Sequence, residues 1–151
     1  TKVPIVDQNL QTNVPGIFAA GNVLHVHDLV DFVSEEAALA GTEAAHYMQK
    51  TALPKPGPTL CVQDGFGVRG CVPQKIARNY KGPVKIMFRP DGIYENVRIC
   101  AMAGSSLLHK GRLQRIVMPG EMRELTVDFS MVSLDEAENI TVFLEAQNNA
   151  N

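Results

Sequence analysis

Three prolines within five residues, Pro54-Lys55-Pro56-Gly57-Pro58, divide the chain into two stretches with different hydrophobic periods. Proline has no backbone N–H and a fixed φ, so neither a helix nor a central strand runs through such a stretch. The boundary predicts two units, residues 1–55 and 56–151. Beyond it, apolar residues alternate with polar ones. Val84, Ile86 and Phe88 do so, then Val97, Ile99 and Ala101, then Leu125, Val127 and Phe129, then Ile140, Val142 and Leu144. This is the period of strands with one buried face. Turn residues separate the runs: Pro90-Asp91-Gly92, Gly104-Ser105-Ser106, Met118-Pro119-Gly120-Glu121, and the acidic stretch from Asp135 to Asn139. About seven short strands at this spacing predict a mainly β fold, an antiparallel β-sandwich of immunoglobulin-like size. There is no Trp, and no secure cysteine pair links the sheets, so the expectation concerns architecture alone.

The first unit reads differently. Val3 to Asp7 is a short extended piece, Thr12 to Pro15 a turn, and Ile17 to Ala20 a buried strand. Ser34 to Lys50 reads as a helix. Asp31 or Ser34 caps its start, Glu35 and Glu36 fall in the first turn, and Lys50 closes the last. Ala37, Gly41, Ala44 and Met48 give it one apolar face of small residues. One strand and one helix supply little core of their own.

A buried strand that ends in glycine and a hydrogen-bonding side chain, shortly before a helix, suits a phosphorylated cofactor. Glycine lets a ligand approach the backbone, and the helix start offers free N–H groups. The stretch from Thr12 through Ile17-Phe18-Ala19-Ala20 to Gly21-Asn22 resembles the second FAD-binding motif of flavoproteins with two dinucleotide-binding domains, the thioredoxin reductase and disulfide reductase type. Pro15-Gly16 are two additional turn residues, and Asn22 stands where that family usually has Asp. The extension from Asn22 to Ser34 is similar to a subgroup known as FAD/NAD(P)-dependent oxidoreductases.

The resemblance implies a function and a site. It implies a strand–helix remnant of an α/β FAD-binding domain ahead of the sandwich. Gly21 and Asn22 would face the ribityl chain, with the Asn22 carbonyl oxygen in place of the carboxylate. Val33, Ser34 and Glu35 would present the helix start to the isoalloxazine, where N–H groups stabilise negative charge on reduced flavin. The first FAD motif, G-x-G-x-x-G, is absent from the sequence. The expectation is therefore the C-terminal portion of a longer oxidoreductase that passes electrons between NAD(P)H and an unknown acceptor. In isolation the fragment would be inactive. The rest of its own flavoprotein chain would be its first partner. The alternative is a non-catalytic β-sandwich that docks a partner subunit or a second copy.

Other candidates are weaker. His25-Val26-His27 places alternate histidines on one face, as a zinc site needs, but no third or fourth ligand is evident nearby, and no metal is expected. A structural loop role and contact with flavin or substrate both stay open for them. Cys61 and Cys71 flank what reads as a hairpin around Asp64-Gly65; two small buried residues or a cross-strand pair both fit. Cys100 lies in an apolar run and reads as core. The seven arginines from Arg69 to Arg123 are scattered as on a solvated surface. A net charge of -2 gives no reason to expect nucleic acid. Three cysteines, an odd count without a secretory mark, suggest reduced thiols and a cytoplasmic setting.

Overall fold

Each of the four alternating runs turns its apolar residues inward. Val84, Ile86 and Phe88 are at most 4% exposed, as are Leu125, Val127 and Phe129, and Ile140, Val142 and Leu144 are at most 2% exposed. The computed structural model describes residues 3–49, 57–132, 134 and 137–147. Pro54 to Pro56 and Lys50 lie outside these residues, and so do Asp135 and Glu136.

Among the described residues there are eight strands, one helix and a short 3-10 turn. The turn is Gly21–Val23, and helix α1 is Val30–Met48. The strands are β1 Thr59–Asp64, β2 Val68–Val72, β3 Lys75–Ala77, β4 Pro83–Pro90, β5 Tyr94–Ala103, β6 Ser106–Val117, β7 Arg123–Asp128 and β8 Asn139–Ala146. They form a five-stranded sheet in the order β3-β1-β8-β5-β6 and a three-stranded sheet in the order β2-β4-β7. All pairings are antiparallel except β1 with β8, which is parallel. The main core lies between the sheets: Leu60, Ile76, Ile99, Ile140 and Leu144 come from one, Ile86, Phe88, Leu125 and Val127 from the other. The expected mainly β, sandwich-like fold is what the chain forms.

The hairpin expected around Asp64-Gly65 does not form. β1 belongs to the larger sheet and β2 to the smaller, so the turn crosses from one layer to the other. Gly65 and Phe66 run against β8: Gly65 N–H donates to the Val142 carbonyl, and Leu144 N–H donates to that of Phe66, both at 2.8 Å. A Cβ on Gly67, whose φ is +75°, would meet Leu144 Cδ1 at 2.7 Å. Only glycine permits both the backbone conformation and this close approach. Cys61 ends up exposed and Cys71 buried, and both are free thiols. Burial, reinforced by Asp64, pushes the Cys71 thiol far above its usual range, which leaves it inert.

The first unit departs from its reading in three places. Ile17 to Ala20 is not a strand; it makes one isolated bridge, Gln11 to Phe18, and Ile17 is 53% exposed. The loop folds back on itself (Ala19 N–H to the Leu10 carbonyl, 3.0 Å), so no neighbouring strand is left to extend a ladder. The helix begins at Val30, four residues before Ser34, with extended Leu29 as its cap and no capping side chain. Asp28 is committed elsewhere, and Asp31 lies in the first turn. Finally, Glu36 and Ala40 are the buried helix residues, while Ala37 and Gly41 are exposed and Met48 is 82% exposed.

The segment before the proline run packs on the sandwich. The Val6 amide donates to Gln74 Oε1 at 2.9 Å, and its carbonyl accepts from Gln74 and Lys75 N–H. Gln8 Oε1 accepts the Ala77 N–H at 2.9 Å. Val6, Leu10, Leu24 and Ala40 form a second small core with Val72 of β2.

Candidate functional site

The 3-10 turn, the loop after it and helix α1 converge on one carboxylate. Gly21 has φ +76°, a left-handed conformation natural to glycine. That conformation sends its N–H to Glu36 Oε2 at 2.5 Å. The next loop brings His25 and His27 back over the same helix. His25 Nε2 lies 2.9 Å from Glu36 Oε1, and His27 Nε2 lies 3.0 Å from Oε2. The two rings meet edge to face, with centroids 4.4 Å apart. All three side chains are withdrawn from water: His25 is 11% exposed, His27 1% and Glu36 6%. Burial pushes the Glu36 carboxyl up, but hydrogen bonds from His25, the Gly21 N–H and His27 outweigh it and hold the group below its usual value. Both Nδ1 atoms are buried and have no hydrogen-bond partner.

A cleft of about 620 Å³ opens beside this cluster. Asn22, His25, Val26, Arg69, Arg89 and Met122 are among the residues that line it. Two guanidinium groups line it, and of these Arg89 is paired with the Asp28 carboxylate. Arg89 is held in place by the carbonyls of Val26 and Pro119 and by the Asp28 carboxylate. Of the other arginines, Arg78, Arg98 and Arg123 donate to backbone carbonyls within the sandwich.

The expected cofactor residues separate into two groups. Gly21 and Asn22 stay together in the 3-10 turn, with Asn22 exposed at the cleft and its Oδ1 accepting the His27 N–H at 3.3 Å. Val33, Ser34 and Glu35 do not mark the helix start, because α1 begins earlier. Val33 packs beside Gly21, Ser34 Oγ donates back to the Val30 carbonyl at 3.1 Å, and Glu35 pairs with Lys85 at 2.8 Å. The uncapped first turn instead lies next to exposed Val26, Leu29 and Val30. The Gly21-Asn22 turn, with Val33 packed on it, and the helix start at Val30, which has no side-chain cap, are the features that bear on a phosphorylated cofactor here.

Glu36 was not singled out by sequence. Its signal was present, since it shares one helical face with Val33 and Ala40, three and four residues away, and a charged group there faces inward. A first-turn reading hid it as an ordinary helix-dipole partner.

Among the described residues, no helix is long and apolar enough to cross a membrane. No family model matches the chain, and neither a curated protein nor a solved structure does.

Proposed function

We propose that the chain is the flavin-contacting C-terminal portion of an FAD-dependent oxidoreductase that passes electrons between NAD(P)H and an acceptor. The observation that carries this reading is the Gly21-Asn22 turn at the rim of a cleft lined by Arg69 and Arg89, next to an uncapped helix start. When bound, FAD supplies the hydride and electron chemistry. The chain's own part is to bind and orient. Asn22 offers a carbonyl oxygen and an amide to ribityl hydroxyls. The N–H groups at the start of α1, from Val30, favour negative charge on the ring. Exposed Val26, Leu29 and Val30 offer apolar surface to the ring. The pyrophosphate half of the site would come from the missing G-x-G-x-x-G unit elsewhere in the parent chain.

The test uses the protein translated from the whole gene. It should purify yellow, with one FAD per chain, and oxidise NADH or NADPH with an artificial acceptor. Asn22→Leu should weaken FAD binding roughly ten- to a hundredfold, since an unpaired buried hydroxyl costs about 1–3 kcal/mol. A colourless full-length protein, or unchanged FAD affinity in the variant, overturns the reading.

One observation favours the interaction-module reading of the sandwich. β6 is twelve residues long, ends the five-stranded sheet, and exposes Leu107, Leu113 and Ile116. An unpaired edge of this length is a template for another strand. Sedimentation of the chain at increasing concentration tests self-association through it. Arg112→Pro in the edge should abolish any dimer.

A further inference from the structure

We propose that His25, His27 and Glu36 form a binding site for a divalent transition metal, with zinc(II) as the best match. Two imidazole nitrogens and one carboxylate oxygen are the donor set that such ions take, whereas magnesium and calcium prefer oxygen alone. The donor atoms of the three residues already lie within 4.8 Å of one another. A tetrahedral ion with bonds of about 2.0–2.1 Å holds its ligands roughly 3.4 Å apart. The two Nε2-to-oxygen distances, 2.9 and 3.0 Å, fall short of that by a few tenths of an ångström. Because each imidazole faces its own carboxylate oxygen, admitting an ion takes an outward movement of the rings together with a turn of His27 from Oε2 toward Oε1.

The surroundings divide the roles of the Glu36 oxygens. Oε2 is fixed by the Gly21 N–H, the kind of supporting hydrogen bond that orients a ligating carboxylate. Oε1, which faces His25 Nε2, is then the ligand oxygen, and His27 Nε2, 3.0 Å from Oε2, must turn toward it to complete three protein ligands. Each imidazole must then be neutral and carry its proton on Nδ1. His25 also lines the cleft, which gives the ion a path in and leaves a fourth position for water or a ligand. The cluster exists only because the Gly21 turn and the second turn of α1 meet, so the paired histidines and the glutamate are nine and eleven residues apart in sequence.

This inference is independent of the flavin reading, because its readout is metal binding by the chain with no FAD present. The chain is stripped with a chelator, dialysed, and titrated with zinc(II) by calorimetry and with cobalt(II) by visible absorption. One equivalent should bind, and cobalt should give the intense bands of a tetrahedral or five-coordinate centre. His27→Ala and Glu36→Gln should each weaken zinc binding at least about tenfold. His46→Ala removes an exposed histidine paired with Glu43 outside the cluster and should leave the affinity unchanged. Glu36→Gln keeps an oxygen for the Gly21 N–H, and circular dichroism reports whether each variant is folded. If folded wild-type chain binds less than one equivalent of zinc, the proposal fails whatever the variants do. It fails equally if folded His27→Ala and Glu36→Gln both bind as tightly as wild type, or if His46→Ala abolishes binding.

Discussion

Asp28 ties the loop before α1 to Arg89 of β4, and its second carboxylate oxygen accepts the Met122 backbone N–H at 2.6 Å. One short side chain thus joins the N-terminal segment to β4 of the smaller sheet and to the turn just before β7. Burial alone would raise the Asp28 carboxyl; the Met122 N–H and the Arg89 guanidinium overcome this and hold it below its usual value. The pair is partly exposed, at 20% for Arg89 and 30% for Asp28, so solvent screens some of its strength.

Asp28→Ala should destabilise the chain by about 1–3 kcal/mol, mostly through the stranded Met122 N–H and the loss of the charged partner of Arg89. Urea unfolding, with the slope held common to both proteins, measures the difference. A midpoint equal to wild type would mean that the carboxylate is dispensable for docking the segment.

Glu36→Leu removes the acceptor of a buried backbone N–H and of two nearly buried imidazoles. The expected loss is about 3 kcal/mol or more. For a chain of this size that lowers Tm by roughly 6–12 °C. Calorimetry would show it, and a drop below about 2 °C would remove Glu36 as the anchor of the turn.

Two glycines should respond in opposite directions to alanine. Gly21 has φ +76°, and Gly21→Ala should cost about 1–2 kcal/mol from the left-handed backbone alone. Gly41 sits inside α1 with nothing within 4 Å of a built Cβ, so Gly41→Ala should stabilise by about 0.5–1 kcal/mol. Parallel thermal melts compare the two, and the same sign for both would contradict the assigned backbone.

Asp7 provides a pH test. Burial is the main reason its carboxyl lies above 3.8, and the Glu43 charge adds to it, against hydrogen bonds from the Asn9 and Gln11 amides. With the folded value raised, the folded state holds the proton more tightly than the unfolded one. Ionised Asp7 therefore destabilises at neutral pH, and this penalty fades as pH falls through the folded value to 3.8. Asp7→Asn keeps an oxygen for the two amides and should raise stability at pH 7. The advantage should vanish below about pH 3.8, which paired urea titrations across pH would reveal.

The sandwich was legible because β7 and β8 alternate buried with more exposed residues and β4 and β5 keep part of that alternation, which Ile86, Val127 and Val142 announce in the sequence. The layer change at Gly65-Phe66-Gly67 was not, because a turn that joins two sheets and a hairpin turn use the same residues. The helix start was misread for a related reason. Val30, Asp31 and Phe32 have no capping signature, since helix entry is set by Asp28 docking on Arg89 and Met122 rather than by a local side chain. His25 and His27 were visible as a pair, but their third partner depends on how a loop folds over a helix. Periodicity carries no information about such a meeting.

Among the described residues β8 is the last strand, yet it occupies the middle of the five-stranded sheet, between β1 and β5. Until residues 139–146 leave the ribosome, β1 with β3 and β5 with β6 have no common neighbour. Until then the strands that carry apolar Leu60, Val62, Ile99 and Ala101 lack their hydrogen-bonded neighbour on that side. Closure of the sheet then joins residues far apart in sequence, a step that is slow and exposes strand edges to other chains. A stop codon shortly before Asn139 would therefore yield an aggregating product rather than a slightly smaller folded protein.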